Sequence, residues 1–344
     1  MTSSALINFF IMLAEDPDAL AGFEDDPAGA VRGVLSDDQL GLILSRDQRA
    51  IRLALVAEHE AWMARWLAER ASDAAGTGLS REISRPGKGA LTAVGTGIRS
   101  LTQITTETRA AIRAADKVFY MAADPITPSW MVRQNSRVEF LNSLIEEGKH
   151  RETIYREITD RFVQAVQDGW RVCLVIYGHP GVFSFATHRA VRQVREMGRP
   201  AVMLPAVSAE DSLFADLGVD AGPYGCHSFE GDDFLLHRRS FDPRSSLLIW
   251  QIGVIGQPRL PNRTPIRRSL RMVSERLLEH YPADHLATVY EAAVIPGCPP
   301  RIDQVRLRSL EDAAMTSIST LYVPPLPQEE GDLVAEAQLP APPR

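Results

Sequence analysis

The segment at 174–185 limits the fold of this chain more than any other part of the sequence. A run of apolar and β-branched residues leads into the loop Tyr-Gly-His-Pro-Gly at 177–181. This pattern predicts a buried strand and a loop whose glycines let the backbone approach a ligand. Because ligands of open α/β sheets bind at the carboxyl ends of strands, Tyr177 and His179 are candidate site residues. An ordinary tight turn explains this segment, taken alone, equally well.

Composition excludes several classes of protein. The 344 residues suffice for two or three domains, and the net charge of −7 comes with scattered basic residues, so no nucleic-acid footprint is visible. The apolar run at 5–14 is too short to span a bilayer and lacks a basic segment before it. Cys173, Cys226 and Cys298 lie far apart, and the histidines show no metal-ligand spacing. We therefore expect a cytoplasmic protein with no nucleic-acid, membrane or metal partner.

Residues 1–71 are predicted to form a small helical domain. Apolar residues recur on one face of its first helix, and Ser3 or Ser4 is the expected N-cap. Two Ser-x-x-Gln segments, at 36–39 and 45–48, predict capping boxes that start the next two helices.

After that domain, composition and periodicity change along the chain. The segment 72–90 is rich in glycine and serine, which is typical of a flexible linker. From 91 to 205 strand-like and helix-like segments alternate, which predicts a mainly parallel sheet with helices on its faces. A second α/β lobe is predicted at 206–325, and the proline-rich tail at 326–344 is predicted to be disordered. The predicted strands are 90–94, 117–121, 171–177, 201–204, 246–252, 285–293 and 320–323.

Five segments occur in an order that resembles the tetrapyrrole-methylase-like superfamily of S-adenosylmethionine methyltransferases. They lie at 91–98, 115–120, 177–183, 203–211 and 213–217. Within it they look most like the borosin peptide-backbone α-N-methyltransferases, which methylate amide nitrogens of a ribosomal peptide. Corrin and porphyrin methylases usually carry an aspartate at the position of His179, and a Pro-Gly-Asp-Pro motif where this chain reads Ile-Arg-Ser-Leu-Thr. The resemblance implies a two-lobed α/β fold preceded by a small all-α domain.

The implied reaction transfers a methyl group from S-adenosylmethionine to a backbone amide. Because the amide lone pair is delocalised into the carbonyl, the enzyme must help the proton leave and stabilise charge on the oxygen. A tyrosine near an arginine suits this task. The resemblance gives catalytic roles to Arg151 and Tyr155, which share a helix face, and to Tyr177 at the cofactor's edge. Ile145 stands where the family often has a tyrosine.

The resemblance also implies which residues bind the cofactor, in a cleft between the predicted lobes. In the first lobe these are Tyr177, His179, Val182, Phe183, Ser208 and Ala209. In the second lobe they are Gln251, Ala292, Ser319 and Thr320.

Partners follow from the same resemblance. The helical domain is similar to the leader or binding domain of borosin precursors, with a generic dimerisation appendage as the alternative. A homodimer is expected, because related enzymes pair so that one subunit reaches the other's substrate. The substrate is either the chain's own tail, between residues 328 and 338, or a separate precursor peptide. A small-molecule methyltransferase of the corrin or porphyrin type and a non-catalytic peptide-binding protein are the alternative functions.

Overall fold

The computed structural model describes residues 4–76, 87–121, 124–146, 148–260 and 266–328. The chain forms two compact units. The first unit comprises Met1–Val219, Gln257–Pro261 and Ala292–Arg301, and the second comprises Asp220–Gly256, Asn262–Glu291 and Ile302–Arg344. The second unit thus begins at Asp220, whereas the sequence placed the lobe boundary at residue 206. The middle of the predicted linker, at 77–86, and the predicted tail from 329 onward lie outside the described residues.

Five helices open the first unit, as the sequence predicted for a helical segment. The Ser4 hydroxyl accepts a hydrogen bond from the Ile7 nitrogen (3.3 Å), which confirms one of the two predicted N-caps. Ser36 and Gln39 form the predicted capping box, each side chain accepting a bond from the other residue's backbone nitrogen. The helices are α1 (Ala5–Glu15), α2 (Pro17–Asp25), α3 (Pro27–Val31), α4 (Asp37–Leu44) and α5 (Gln48–Gly76).

The capping box predicted at 45–48 is wrong. Helix α5 begins at Gln48, and its cap is the carboxylate of Asp47, which accepts a bond from the Ala50 nitrogen (3.1 Å). The Ser45 hydroxyl instead donates to the Leu42 carbonyl oxygen (2.6 Å) at the end of α4. Aspartate and serine cap about equally well, so the residue adjacent to the first helical turn takes the role.

The rest of the first unit alternates strands and helices, as the β-α-β rhythm predicted. The strands are β1 (Ala90–Gly95), β2 (Lys117–Tyr120), β3 (Val138–Phe140), β4 (Lys149–His150), β5 (Arg171–Ile176) and β6 (Ala201–Met203). The helices are α6 (Thr106–Ala114), α7 (Thr127–Gln134), α8 (Arg151–Gln167), α9 (Phe185–Glu196) and α10 (Ala209–Leu217). The main sheet has the order β3-β2-β5-β1-β6 with parallel pairing, so the carboxyl ends of its strands share one edge. We call this the carboxyl edge.

One apolar core joins the opening helices to this sheet. Phe10 of α1 and Leu55 of α5 are buried in the same cluster as Val94 of β1 and Val175 of β5. Polar contacts add to the packing: the Glu15 carboxylate accepts a bond from the indole nitrogen of Trp130 (2.7 Å). The helices therefore fold as part of the first unit.

The second unit has its own sheet and core. Its elements are β7 (Cys226–Glu230), α11 (Gly231–Leu236), β8 (Ser246–Trp250), α12 (Arg267–Leu278), β10 (Leu286–Glu291), β11 (Arg301–Arg306) and β12 (Thr320–Val323). The sheet order is β11-β10-β12-β8-β7, with β12 antiparallel to both neighbours and β7 parallel to β8. Strand β9 (Arg259–Leu260) belongs to the first unit, where it pairs with β4. The two-lobed α/β fold expected from the sequence is confirmed.

Two kinds of feature are missing from the described ranges. No helix there is both long enough and apolar enough to cross a bilayer. No group of three or more histidine, cysteine, aspartate or glutamate side chains in those ranges is arranged to hold a metal ion.

Candidate active site

Two glycine-containing loops meet where β1 and β5 end. The Gly178 nitrogen donates to the Gly97 carbonyl oxygen (2.9 Å), and the Gly97 nitrogen donates to the Gly178 oxygen (3.3 Å). Both residues have positive φ values, of 72° and 73°, which glycine adopts without strain. Gly95 lies against the same loop, and a Cβ there would stand 2.0 Å from the Gly178 oxygen. Glycine at these positions lets the two loops touch at the carboxyl edge.

Tyr177 follows β5 at this edge, in a largely buried position between charges of opposite sign. Burial raises the pKa of its phenol well above the usual value, and the negative charge of Asp124 raises it further. Arg52 of α5 has the opposite effect on that pKa. The phenol is therefore protonated at neutral pH and can donate a hydrogen bond. The charges that act on Tyr177 come from α5 and from the loop after β2.

Asp124 is a buried carboxylate with a rigid setting. It accepts hydrogen bonds from the backbone nitrogens of Ile126 (2.9 Å) and Thr127 (2.7 Å) at the start of α7. The Tyr120 hydroxyl lies 3.4 Å from its second oxygen. Burial and the charge of Asp124 raise the pKa of Tyr120, which is fully buried. One fixed carboxylate thus raises the pKa values of two phenols, Tyr120 and Tyr177.

A cavity of about 820 Å³ lies between α5 and the β3 side of the sheet, and we call it the α5 cavity. Its lining on α5 is Arg52, Val56, His59, Met63, Trp66 and Leu67. Its lining on the sheet side includes Asp116, Lys117, Asp124, Val138, Glu139 and Phe140. Most of the α5 residues are apolar, and Arg52 and His59 are the polar side chains that α5 brings to this wall.

His59 is a neutral side chain on that wall. Burial lowers the pKa of its ring, against the raising effects of Asp124 and Glu60. The ring stacks on Trp62 at 5.7 Å between centroids. Within the described part of the chain, its Nδ1 atom is buried without a hydrogen-bond partner.

Arg151 and Tyr155 lie in the first turns of α8. The Arg151 nitrogen donates to the Pro258 carbonyl oxygen (2.9 Å), and the His150 side chain caps the helix. Tyr155 and Ile145 are partly buried against the same apolar cluster beneath the sheet. The two predicted catalytic residues therefore share a helix face, as the spacing indicated.

The loop after Tyr177 presents one fixed imidazole and two exposed apolar side chains. His179 Nδ1 accepts a bond from the Gly181 nitrogen (2.9 Å), so the neutral ring carries its proton on Nε2. Val182 and Phe183 are 40% and 48% exposed, and Phe183 has a φ of 48°. A non-glycine residue in that conformation is uncommon and is often part of a site.

Ser208 and Ala209 begin helix α10, beyond β6. The Ser208 hydroxyl and backbone nitrogen both donate to the Asp211 carboxylate (2.7 Å each), and the hydroxyl accepts from the Asp211 nitrogen. The Ser208 side chain is therefore used by its own capping box, and Ala209 is the first helical residue.

The second unit brings three of its predicted residues to one end of its sheet. Gln251 follows β8 with a φ of 55°, opposite the start of β12 where Ser319 and Thr320 lie. Ser319 and Thr320 are buried, and the Ser319 hydroxyl donates to the carboxylate of Glu291. Ala292 follows Glu291 along the chain and belongs to the first unit.

Four polar residues near these groups were not predicted from the sequence: Arg52, His59, Asp124 and Glu291. Asp124 had a usable signal, because it follows a predicted strand at its carboxyl end, where α/β sheets place site residues. Arg52 and His59 carry no such signal, since only the packing of α5 brings them to the sheet.

Comparisons with known proteins agree with this architecture. A family model described as Tetrapyrrole (Corrin/Porphyrin) Methylases matches residues 90–297, more than half of the chain. The solved structure of uroporphyrin-III-C-methyltransferase from Thermus thermophilus has a similar fold, with a TM-score of 0.50 and 19% identity. That match covers 69% of this chain and 92% of the other.

Two fungal relatives are more similar in sequence. The methyltransferase/ribosomally synthesized cyclic peptide gymnopeptides precursor of Gymnopus fusipes is 38% identical, over 69% of this chain and 57% of that protein. The corresponding omphalotin A precursor of Omphalotus olearius is 35% identical, over 71% of this chain and 60% of that protein. The chain thus spans less than two thirds of the length of either relative. The resemblance drawn from the sequence is confirmed, and the chain belongs to the tetrapyrrole (corrin/porphyrin) methylase family.

Proposed function

We propose that this protein is an S-adenosylmethionine-dependent methyltransferase that methylates backbone amides of a ribosomal peptide. The observation that carries the proposal is the similarity, at 35% to 38% identity, to proteins named as methyltransferases joined to peptide precursors. The family match over 90–297 supports the cofactor, because that family is named for methylases.

The residues at the carboxyl edge suit this cofactor. His179 offers an Nε2–H donor for a carboxylate or hydroxyl of the cofactor. The exposed Val182 and Phe183 offer apolar surface for its adenine base. We propose that Ser208 and Ala209 also line the cofactor site, with the Ser208 hydroxyl and backbone nitrogen both engaged by Asp211. We propose that Gln251, Ala292, Ser319 and Thr320 contribute as well. When bound, the cofactor supplies an electrophilic methyl group on its sulfonium.

Tyr177 and Arg151 act on the peptide amide in this proposal. The Tyr177 phenol, kept protonated by burial, donates a hydrogen bond to the carbonyl oxygen as negative charge develops there. The guanidinium of Arg151 stabilises the same charge, and Tyr155 positions the amide beside it. The raised pKa of Tyr177 makes it a hydrogen-bond donor, so we assign the acceptance of the amide proton to bulk water rather than to this phenol.

We propose that the enzyme is a homodimer and that its first substrate is its own tail. Prolines have no amide proton, so only Leu333, Val334, Ala335 and their non-proline neighbours are acceptors. The tail begins at a fixed point, because Gln328 donates a hydrogen bond to the Arg244 carbonyl oxygen (2.7 Å). A separate peptide docked on the opening helices is the competing substrate.

Mass spectrometry and calorimetry together test the proposal. The full chain, expressed in cells, should bind S-adenosylhomocysteine in a calorimeter and gain whole methyl masses between Gln328 and Gln338. A Tyr177→Phe variant should bind the cofactor product and carry fewer methyl groups. If the protein binds the product but its tail is unmodified, the substrate would be a separate peptide rather than the chain's own tail. No binding at millimolar product would refute the cofactor assignment.

Methylation of a porphyrin-type acceptor, with no peptide mass shift, would establish the small-molecule alternative. Deletion of residues 1–71 does not separate these cases, because those helices share the core of the first unit. Point variants are therefore the appropriate tools.

A further inference from the structure

The α5 cavity contains polar and charged groups that the proposed chemistry does not yet use. Arg52 and His59 come from α5, and Asp124 comes from the loop after β2. Both Arg52 and Asp124 act electrostatically on Tyr177. We infer that Arg52 and Asp124 are positioning residues for Tyr177, so that the opening helices form part of the methyl-transfer site. This inference rests on the proposed function for its chemical meaning.

Helix α5 is held firmly enough to serve that role. The Gln48 side chain accepts a hydrogen bond from the Val294 nitrogen (2.6 Å) at the start of the helix. Further along, the Trp66 ring packs edge-on against Phe140 of β3 at 5.3 Å between centroids. Ile51 and Leu55 are buried in the shared core. Contacts at several points along α5 therefore fix it against the sheet.

The face of α5 that lines the cavity follows from helical spacing. Arg52, Val56, His59 and Met63 recur at intervals of four, three and four, which places them on one side of the helix. Arg52 is thereby on the side of α5 that lines the same cavity as Asp124.

Asp124 and Tyr177 follow the carboxyl ends of two neighbouring strands. β2 and β5 are paired in parallel, and the Met121 nitrogen donates to the Val175 carbonyl oxygen (3.2 Å) at their ends. Asp124 comes three residues after Met121, and Tyr177 two residues after Val175. Backbone hydrogen bonds from Ile126 and Thr127 fix the Asp124 carboxylate.

The two charges oppose each other at Tyr177. The carboxylate of Asp124 raises the pKa of the phenol, and the guanidinium of Arg52 lowers it. Removing Arg52 leaves the negative charge of Asp124 uncompensated near Tyr177. In the proposed reaction the Tyr177 hydroxyl also donates to a substrate oxygen on which a second negative charge develops. The pair therefore sets the electrostatic environment of the Tyr177 hydroxyl.

Fluorine NMR of the full chain labelled with 3-fluorotyrosine tests the inference without any methyl transfer. Tyr177→Phe assigns the Tyr177 resonance. We expect Arg52→Gln to shift that resonance and raise the pKa of Tyr177, and Asp124→Asn to lower it. Arg52→Lys, which keeps the charge, should stay near the wild type. Arg49→Gln is the matched control, because it removes the same charge from an exposed position on α5.

The outcomes separate this inference from the proposed function. If Arg52→Gln is folded and its Tyr177 resonance does not move, as is expected for the control Arg49→Gln, the inference is overturned. If Arg52→Gln does not fold, then Asp124→Asn decides, because asparagine keeps the oxygen that accepts the backbone bonds. In a methylation assay, Arg52→Gln should lower kcat by about tenfold or more with little change in KM for the cofactor, and Arg52→Lys should restore part of it. A shifted resonance without any methyl transfer in wild type would refute the function alone.

Discussion

The two edges of the first unit's parallel sheet hold different kinds of residue. At the amino edge, the Arg171 side chain donates two hydrogen bonds to the Asp116 carboxylate, and the Lys117 Nζ atom lies 2.8 Å from a Glu139 carboxylate oxygen. At the carboxyl edge, two glycine-containing loops touch, and the buried carboxylate of Asp124 raises the pKa of Tyr177. The amino edge pairs its charges and stabilises the strands. The carboxyl edge keeps groups that are costly to bury, which is expected where a ligand binds.

The largest effect is expected at the carboxyl edge, from Tyr177→Phe. Loss of the phenol hydroxyl removes one donor to the developing oxyanion, which should lower kcat by about 10² to 10³. The fold should persist, because the ring remains. Measuring tail methylation by mass spectrometry checks this, with circular dichroism as the control for folding. Full activity in the variant would remove Tyr177 from the chemistry.

The next effect concerns the contact between the two glycine loops. In Gly95→Ala the new Cβ would meet the Gly178 oxygen at 2.0 Å and the Pro180 Cδ at 2.9 Å. Because backbone atoms cannot give way cheaply, we expect a loss of about 1 to 3 kcal/mol in unfolding free energy. Urea denaturation measures it.

Gly41→Ala is the matched control for that change. Gly41 lies inside α4, where an added Cβ would have no atom within 4 Å, so alanine should stabilise by about 0.5 to 1 kcal/mol. Equal effects of the two substitutions would mean that the loops at the carboxyl edge are not tightly packed.

Local sequence patterns predicted much of this fold. Contacts between residues that lie far apart in the sequence could not be predicted from them. The apolar run before Tyr177 and the Ser36 capping box gave β5 and the start of α4, because their causes lie within a few residues. Helix α7 and strand β3 were not predicted, because α7 is short with a proline in its first turn and the three residues of β3 are too few to show a period. At Ser45 the pattern was present, but the neighbouring Asp47 took the cap.

The candidate site shows the same division. Tyr177 and His179 were indicated by a strand followed by glycines, and Arg151 and Tyr155 by a family resemblance. Arg52 and Asp124, more than 70 residues apart in sequence, line one cavity only because α5 packs on the sheet. The periodicity of α5 alone does not indicate which residues of the sheet lie opposite Arg52.

A smaller effect at the carboxyl edge is expected from His179→Asp. Aspartate can accept the bond that the Gly181 nitrogen now donates to Nδ1, so the loop should keep its shape. Its negative charge should weaken binding of S-adenosylhomocysteine by about tenfold, or 1.4 kcal/mol. Tyr177→Ala should weaken this binding more than His179→Asp does, because it removes a largely buried aromatic ring. Calorimetry that ranks the two variants in the opposite order would move the cofactor away from His179.

The smallest effect belongs to the amino edge, from Asp116→Asn. The Arg171 side chain donates to the Asp116 carboxylate and holds its pKa below the usual value. A carboxyl with a depressed folded pKa stabilises the protein above its unfolded pKa of about 4, and this contribution is lost as the pH falls through the folded value. Because Arg171 is largely exposed, we expect the pair to contribute about 0.2 to 1 kcal/mol to the unfolding free energy near neutral pH, and Asp116→Asn to lose this contribution.

Urea denaturation of wild type and Asp116→Asn between pH 7 and pH 3 measures this contribution. The stability difference should be largest at pH 7 and should decrease as the pH falls below the unfolded pKa of about 4 toward the lower folded value. A double-mutant cycle with Arg171→Met isolates the pair from the separate effects of each residue. A difference that grew as the pH fell would show that the carboxylate destabilises the strands, and the contrast between the two edges of the sheet would then fail.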